Sequence, residues 1–243
     1  MLAKASNNLI KDLKKQKREN SSLLFLDNFK IIKDAISSGV KPLYILVEDE
    51  KFNVWGDSFE IFKVDHQTIE QLSDSKTPQG VVCIAEYLQH IVEKPETNFL
   101  VLDSLQDPGN VGTLIRTATA CGFEYVFLLD SVNVTNSKLV RSSVGTIFQS
   151  KIISMKKTHF IEKAKEWNLN LVMTDMEGEN IFQSQFSQPV GVVIGNEGNG
   201  VCDEIAQICN YTIKIPMKKG VESLNASISG AVIMYEIAKN SFI

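Results

Sequence analysis

The sequence predicts an α/β protein: a mostly parallel sheet covered by helices on both faces, preceded by a smaller α/β domain. Three observations carry this prediction. In the second half of the chain, apolar runs of four to six residues recur with helical stretches between them. Runs of that kind mark strands buried on both faces. The first half also alternates strands and helices, and a stretch from His90 to Asn98, with Pro95 and mixed charges, reads as a linker between the two. The expected division is residues 1–90, a linker at 91–97 and residues 98–243.

The elements follow in order. Residues 1–20 read as a basic helix. Leu23-Leu24-Phe25-Leu26 reads as a buried strand, and a helix runs from about Asn28 to Ser37, punctuated by Gly39 and Pro42. Tyr44–Val47, Phe59–Val64 and Val81–Ala85 are further strands. Beyond the linker, Phe99–Leu102 is a strand and Val111–Cys121 a helix. Tyr125–Leu129 is a strand and Ser137–Val144 a helix. Lys151–Ile153 is a short strand and His159–Trp167 a helix. Leu171–Thr174 and Val190–Ile194 are strands, a short helix spans Cys202–Gln207, Thr212–Ile215 is a strand, and Leu224–Lys239 is the last helix.

The bulk chemistry narrows the function. Net charge is −4, yet Lys4, Lys11, Lys14, Lys15, Lys17 and Arg18 face only Asp12 and Glu19 within the first twenty residues, a local net of +4. Such an arm fits contact with phosphates as well as a solvated helical face. No apolar run approaches the roughly 18–20 residues needed to span a bilayer, and the polar N-terminus shows no secretory signal. Cys83, Cys121, Cys202 and Cys209 form no C-x-x-C pair, and His66, His90 and His159 are scattered. The expectation is a cytoplasmic protein with reduced thiols and no metal.

Three blocks lie at strand ends, where open α/β sheets bind ligands. The first runs from Asp103 to Arg116. Asp107-Pro108-Gly109 is turn chemistry, Asn110 reads as a helix N-cap, and Gly112 allows close approach to the backbone. Arg116 follows Asn110 by nearly two helical turns. The spacing fits a solvated arginine, and it also fits one that holds a substrate phosphate. The second block, Gly195-Asn196-Glu197-Gly198-Asn199-Gly200, leaves a buried strand. Its glycines read G-x-x-G-x-G, the wrong order for a dinucleotide fingerprint, and it has no P-loop lysine. Glu197 opposes a pyrophosphate. The loop fits a ligand without phosphates, gripped by backbone groups, or a plain glycine-rich turn. In the third block, Ile215-Pro216-Met217 ends a strand, and Ser223 reads as the N-cap of the last helix with Asn225 in its first turn. Asparagine is a poor helix former, so Asn225 needs a second role. Ala226, Ser227, Ser229, Gly230 and Ala231 let this helix pack closely in a core or a dimer interface.

Taken together, the blocks resemble the three motifs of the SpoU/TrmH family of RNA ribose 2′-O-methyltransferases. Asp107 to Arg116 matches D-P-x-N-x-G-x-x-x-R, Ile194 to Gly200 matches I-G-x-E-G-x-G, and Ile215–Met217 with Ser223–Ser227 matches I-P-M followed by S-L-N-x-S. The resemblance covers about residues 98–240. It implies a SPOUT methyltransferase domain, a parallel-sheet α/β fold with a C-terminal trefoil knot, that uses S-adenosylmethionine and acts as a homodimer through its final helix. Gly195, Ile215 and Leu224 are implied cofactor contacts, largely through backbone groups. Thr174, Ile194, Gly198, Met217 and Asn225 join the same cofactor set. Arg116 is placed at the reacting hydroxyl, with Asn110, Glu197, Ser223 and Asn225 organising the loops around it.

The N-terminal region resembles the ribosomal-protein-like substrate-binding domain often attached to this family. Where the family commonly shows F-x-x-E-G, this chain reads Phe25-Leu26-Asp27-Asn28, so no RNA contact is carried over at that point. Lys14, Lys15, Lys17 and Arg18, together with Arg116 and Arg141, are the candidate RNA contacts. The implied function is methyl transfer from S-adenosylmethionine to a ribose 2′-hydroxyl of rRNA or tRNA. The rival is an RNA-binding protein that keeps the fold without the chemistry.

Overall fold

The computed structural model describes residues 2–19, 22–55, 58–221 and 223–241. The chain divides into two compact units. One comprises residues 1–88 with 135–148, and the other residues 89–134 with 149–243.

The first unit opens with α1 (Asn7–Arg18). Ser6 caps it by accepting from the Leu9 amide at 3.2 Å, and Lys15, Lys17 and Arg18 complement the negative end of its dipole. Then come β1 (Leu23–Leu26), α2 (Phe29–Ser37), β2 (Pro42–Val47), β3 (Ile61–Lys63), α3 (His66–Leu72) and β4 (Val81–Glu86). The third strand is shorter than the expected Phe59–Val64. The sheet order is β1-β4-β2-β3, antiparallel except for the parallel pair β2/β3. Leu13 of α1 and Ile69 and Leu72 of α3 pack with Leu46, Val82 and Ile84 of the sheet to form the core.

Residues 87–98 carry neither helix nor strand. The second unit then runs β5 (Phe99–Asp103), α4 (Pro108–Ala120) and β6 (Tyr125–Leu129). A short α5 (Ser137–Ser142) packs with the first unit. The chain continues through β7 (Lys151–Met155), α6 (Lys157–Trp167), β8 (Leu171–Asn180), β9 (Gly191–Ile194), α7 (Asp203–Ala206), β10 (Tyr211–Lys214) and α8 (Ala226–Ala238). All six strands are parallel, in the order β10-β8-β9-β5-β6-β7. β5, β6 and β9 are buried along their whole length, as strands covered on both faces must be.

Aromatic rings fill the core on one side of this sheet. The Phe99 and Phe127 centroids lie 5.8 Å apart edge to face, and Phe160 of α6 sits 5.3 Å from Phe127. On α8, the small residue Gly230 serves the core: a Cβ there would overlap Leu114 of α4.

β8 runs on through Asn180, well beyond the expected end at Thr174, because its ladder with β10 is interrupted and then resumes. Thr212 pairs with Met173, yet the next residue, Ile213, pairs with Glu179. Residues 174–178 leave the ladder as a detour. It closes at Gly178, where a Cβ would collide with the Ile213 backbone.

Among the described residues, all four cysteines are free, and burial pushes the Cys83 thiol up to about 12, far from thiolate chemistry at neutral pH. No helix among them is long and apolar enough to cross a membrane. Truncating the central ring, Phe127→Ala, is expected to cost about 3–5 kcal/mol of stability. This would be read as a lower urea midpoint with an unchanged slope.

Candidate active site

The carboxyl ends of β5, β9 and β10 bring the three blocks together. Asp107 caps α4 by accepting from the Asn110 amide at 2.8 Å, and Pro108 takes the first helical position, where a missing N–H is harmless. This corrects the reading of Asn110 as the cap. Asn110 lies in the first turn, and its side chain is spent elsewhere. Its Nδ2 donates to Glu197 Oε1 at 2.9 Å, and its Oδ1 accepts from Asn225 Nδ2 at 3.0 Å. One asparagine thus links all three blocks.

The last helix begins at Ala226, and its N-cap is Asn225, not Ser223. Asn225 Oδ1 accepts from the Ser227 amide at 2.9 Å and from the Ser227 hydroxyl at 2.6 Å. That accounts for a poor helix former at this position: the oxygen caps, and the amide group reaches Asn110. Ser223 and Leu224 precede the helix in exposed chain.

The second block is held by its own asparagine. Asn196 exchanges both backbone hydrogen bonds with Gly200 at 2.9 Å, and its Oδ1 accepts from the Gly198 amide. Its Nδ2 donates to the Ser104 carbonyl at 2.9 Å, tying the loop to the end of β5. A Cβ on Gly195 would overlap the backbone of Gly200 and Val201, so only glycine fits there.

The SpoU rRNA Methylase family model matches residues 97–235, more than half of the chain. The chain belongs to this family. It is 25% identical over 96% of its length, and 97% of the relative's, to the 23S rRNA (guanosine(2553)-2′-O)-methyltransferase RlmP of Bacillus subtilis. A 23S rRNA (uridine(2479)-2′-O)-methyltransferase of Streptomyces viridochromogenes is 29% identical over 68% of this chain and 62% of its own. Among solved structures, an AdoMet-bound rRNA methyltransferase from Sinorhizobium meliloti superposes with a TM-score of 0.85 at 24% identity, covering 100% of this chain and 98% of that one. The fold is therefore the SPOUT fold that the resemblance implies, with its C-terminal trefoil knot.

Within this SpoU domain, other residues of the motif set stand outside the Asn110 network. Arg116 is exposed on α4 and makes no ion pair among the described residues. Ile194 is buried at the end of β9, Gly198 is exposed in the loop, Thr174 is half-buried where the β8 detour begins, and Ile215 and Met217 are half-buried just beyond β10. Lys14, Lys15, Lys17, Arg18 and Arg141 belong to the first unit. Lys17 is already paired with Asp74 at 3.1 Å, and Arg141 lies 3.6 Å from Asp27 with its side chain 33% exposed.

Asp103, Lys157 and Asn196 were not singled out from the sequence. Asp103, at the end of β5, is 1% exposed. Its Oδ2 accepts from the Cys202 amide at 2.8 Å and its Oδ1 meets Lys157 Nζ at 2.8 Å. Burial pushes its pKa up, but the Cys202 amide and Lys157 outweigh burial and hold the carboxyl below the usual carboxylate value. The legible signal was an acid ending a five-residue apolar strand, where a buried charge needs a partner.

Asp103→Asn should lower stability by about 1.5–3 kcal/mol at neutral pH. Because the folded pKa is depressed, the charged form stabilises the fold above the unfolded pKa. That contribution fades as pH falls through the folded value. Urea unfolding at several pH values should therefore show wild type and variant converging in acid.

Proposed function

We propose that this chain transfers the methyl group of S-adenosylmethionine to a ribose 2′-hydroxyl of ribosomal or transfer RNA, in the cytoplasm and as a homodimer. The observation that carries the reading is the pair of hydrogen bonds by which Asn110 joins Glu197 and Asn225, 87 and 115 positions away in sequence. Relatives named for 2′-O-methylation of a guanosine and of a uridine in 23S rRNA support the ribose, rather than the base, as acceptor.

The donor set fits the cofactor. Met217 and Leu224 have backbone amides without backbone partners among the described residues, and Ile194, Ile215 and Met217 supply apolar surface beside them. The exposed Glu197 carboxylate suits a sulfonium cation and opposes a pyrophosphate. Gly195, Ile215 and Leu224 would hold the cofactor through backbone groups, with Thr174, Ile194, Gly198, Met217 and Asn225 completing the walls. When bound, S-adenosylmethionine supplies a methyl group on a sulfonium, whose departure needs no acid.

The protein's task is the hydroxyl. Arg116 is an exposed cation without a carboxylate partner among the described residues, free to meet the charge that develops on the attacking oxygen or a neighbouring phosphate. Arginine does not deprotonate in proteins, so its role is electrostatic unless an RNA phosphate accepts the proton. Asn110, Glu197 and Asn225, with Ser223 just before Asn225 in sequence, tie the start of α4, which carries Arg116, to the loops of the cofactor contacts, which supplies alignment. Residues 1–90 form the RNA-binding part, with Lys14, Lys15, Lys17 and Arg18 of α1 as phosphate contacts, and Arg141 of α5, in the same unit, adds another. On α8, Ile228 and Tyr235 are half exposed and with Leu224 offer apolar surface to a second copy.

Total RNA incubated with labelled S-adenosylmethionine should gain label at alkali-resistant linkages; label on bases alone would refute the ribose assignment. Arg116→Ala should slow transfer by at least about 100-fold while calorimetry shows cofactor affinity nearly unchanged. Gly195→Ala should do the reverse, weakening cofactor binding by about 10-fold or more through the displaced loop. Retained transfer by Arg116→Ala would remove that residue from the centre of the mechanism.

A further inference from the structure

The first unit contains a pocket of about 410 Å³ that the methyl-transfer chemistry does not use. Its walls have an unusual donor balance. Asn28 caps α2, its Oδ1 accepting from the Lys30 and Ile31 amides at 3.0 and 3.2 Å. Gln79 Oε1 accepts from the Phe29 amide at 3.0 Å. Both side-chain oxygens are therefore spent on the helix, and both NH₂ groups remain as donors. The first-turn amides of α2 are correspondingly taken, so the helix end itself offers nothing further.

The one carboxylate in the wall has its Oδ2 committed. Asp27 is buried, and its Oδ2 accepts from the Ser73 hydroxyl at 2.6 Å and from the Asp74 and Ser75 amides at 3.0 and 3.1 Å. Arg141 approaches this oxygen only to 3.6 Å, too far for a hydrogen bond, and its Nη1 is buried with no hydrogen-bond partner among the described residues. A buried guanidinium nitrogen without an acceptor is costly and calls for one. Lys30 adds a second cation with no ion pair among the described residues. Beside them Val144 sits at φ +52°, a left-handed conformation that a β-branched residue adopts only under constraint, and constraint of this kind gathers at ligand sites.

Arg141 lies in ion-pair range of Asp27, Lys30 adds a second cation, and the leftover amide groups of Asn28 and Gln79 are donors. We infer that this pocket binds a phosphodiester group of the RNA substrate, held by Arg141, Lys30 and the amide groups of Asn28 and Gln79. Guanidinium and amide N–H groups converging on one cavity match the oxygens of a phosphate. A contact of this kind sets the position of the RNA and carries no sequence information. The inference rests on the reading that the substrate is RNA.

The test uses the full chain with a labelled single-stranded oligoribonucleotide of mixed sequence, about 20 nucleotides long, followed by anisotropy between about 50 and 200 mM salt. Asn28→Asp and Gln79→Glu keep the oxygens that α2 needs, remove the NH₂ donors and add negative charge. Aspartate caps a helix as well as asparagine does. Each variant should weaken RNA binding by about 10-fold and reduce the slope of log K against log salt by about 0.7, the value for one lost phosphate contact on a single strand. Arg141→Ala should match that slope change, and calorimetry should show S-adenosylmethionine affinity unchanged in all three.

Wild-type affinity and slope in Asn28→Asp and Gln79→Glu overturn the inference, as does a wild-type chain that binds no oligoribonucleotide. A parallel titration with inorganic phosphate, read by thermal shift, separates the sources. Pocket-dependent phosphate binding with unchanged RNA affinity assigns the pocket to a free phosphate and overturns the RNA contact. A chain that binds no S-adenosylmethionine yet shows the slope change refutes the methyltransferase reading and leaves the pocket assignment intact.

Discussion

One buried carboxylate holds the catalytic unit in its working form. Asp103 closes β5, the strand in the middle of the parallel order, and its two oxygens face the Cys202 amide and the Lys157 ammonium. A charge at this depth is tolerable only when fully partnered. Its partners lie at the starts of α7 and α6, so satisfying the charge also fixes where two loops leave the sheet. Ser104, next in sequence and at φ +60°, turns its carbonyl to Asn196. The loop from Gly195 to Cys202 is thereby suspended from β5 at both ends, and the side-chain bond from Asn110 to Glu197 secures its middle.

Carboxamide side chains recur at the sites because they divide labour. In Asn225, Asn196, Asn28 and Gln79 the oxygen satisfies backbone amides at a helix start or turn, which leaves the NH₂ group as a donor. For Asn225 and Asn196 the onward partner is another block of the site. An aspartate would do the first task and fail the second. A serine cap would satisfy the helix and leave no donor long enough to reach across.

Most strands were legible because burial on both faces writes itself as an uninterrupted apolar run. Tyr125–Leu129 was read to the residue, and Phe99–Asp103 and Gly191–Ile194 to within one. The caps were harder: the sequence reading placed them at Asn110 and Ser223, and the structure places them at Asp107 and Asn225. Asp107 and Asn110 both cap well in general, and Pro108 at the first helical position decides between them. Ser223 and Asn225 compete in the same way, and there the tertiary bond to Asn110 settles the matter, which no local pattern contains. The continuation of β8 was illegible, since Asp175-Met176-Glu177-Gly178-Glu179-Asn180 reads as a polar loop and pairs only because β10 meets it again. Asp103 was quoted as the start of a block, yet its burial follows from the sheet order, which a linear reading does not supply.

The detour in β8 separates two things that strands ordinarily keep bound together, length and alignment. Pairing with β10 stops at Met173 and starts afresh at Glu179, with Ile213 directly following Thr212 on the other side. The intervening residues are slack in the weave. Their number can grow or shrink without moving any side chain of the strand to the opposite face, which a one-residue slip in a continuous ladder would do. The slack begins at Thr174, so the fold carries an adjustable margin at this end of the sheet. Insertions or charge changes in that rim would leave the sheet beneath it the same.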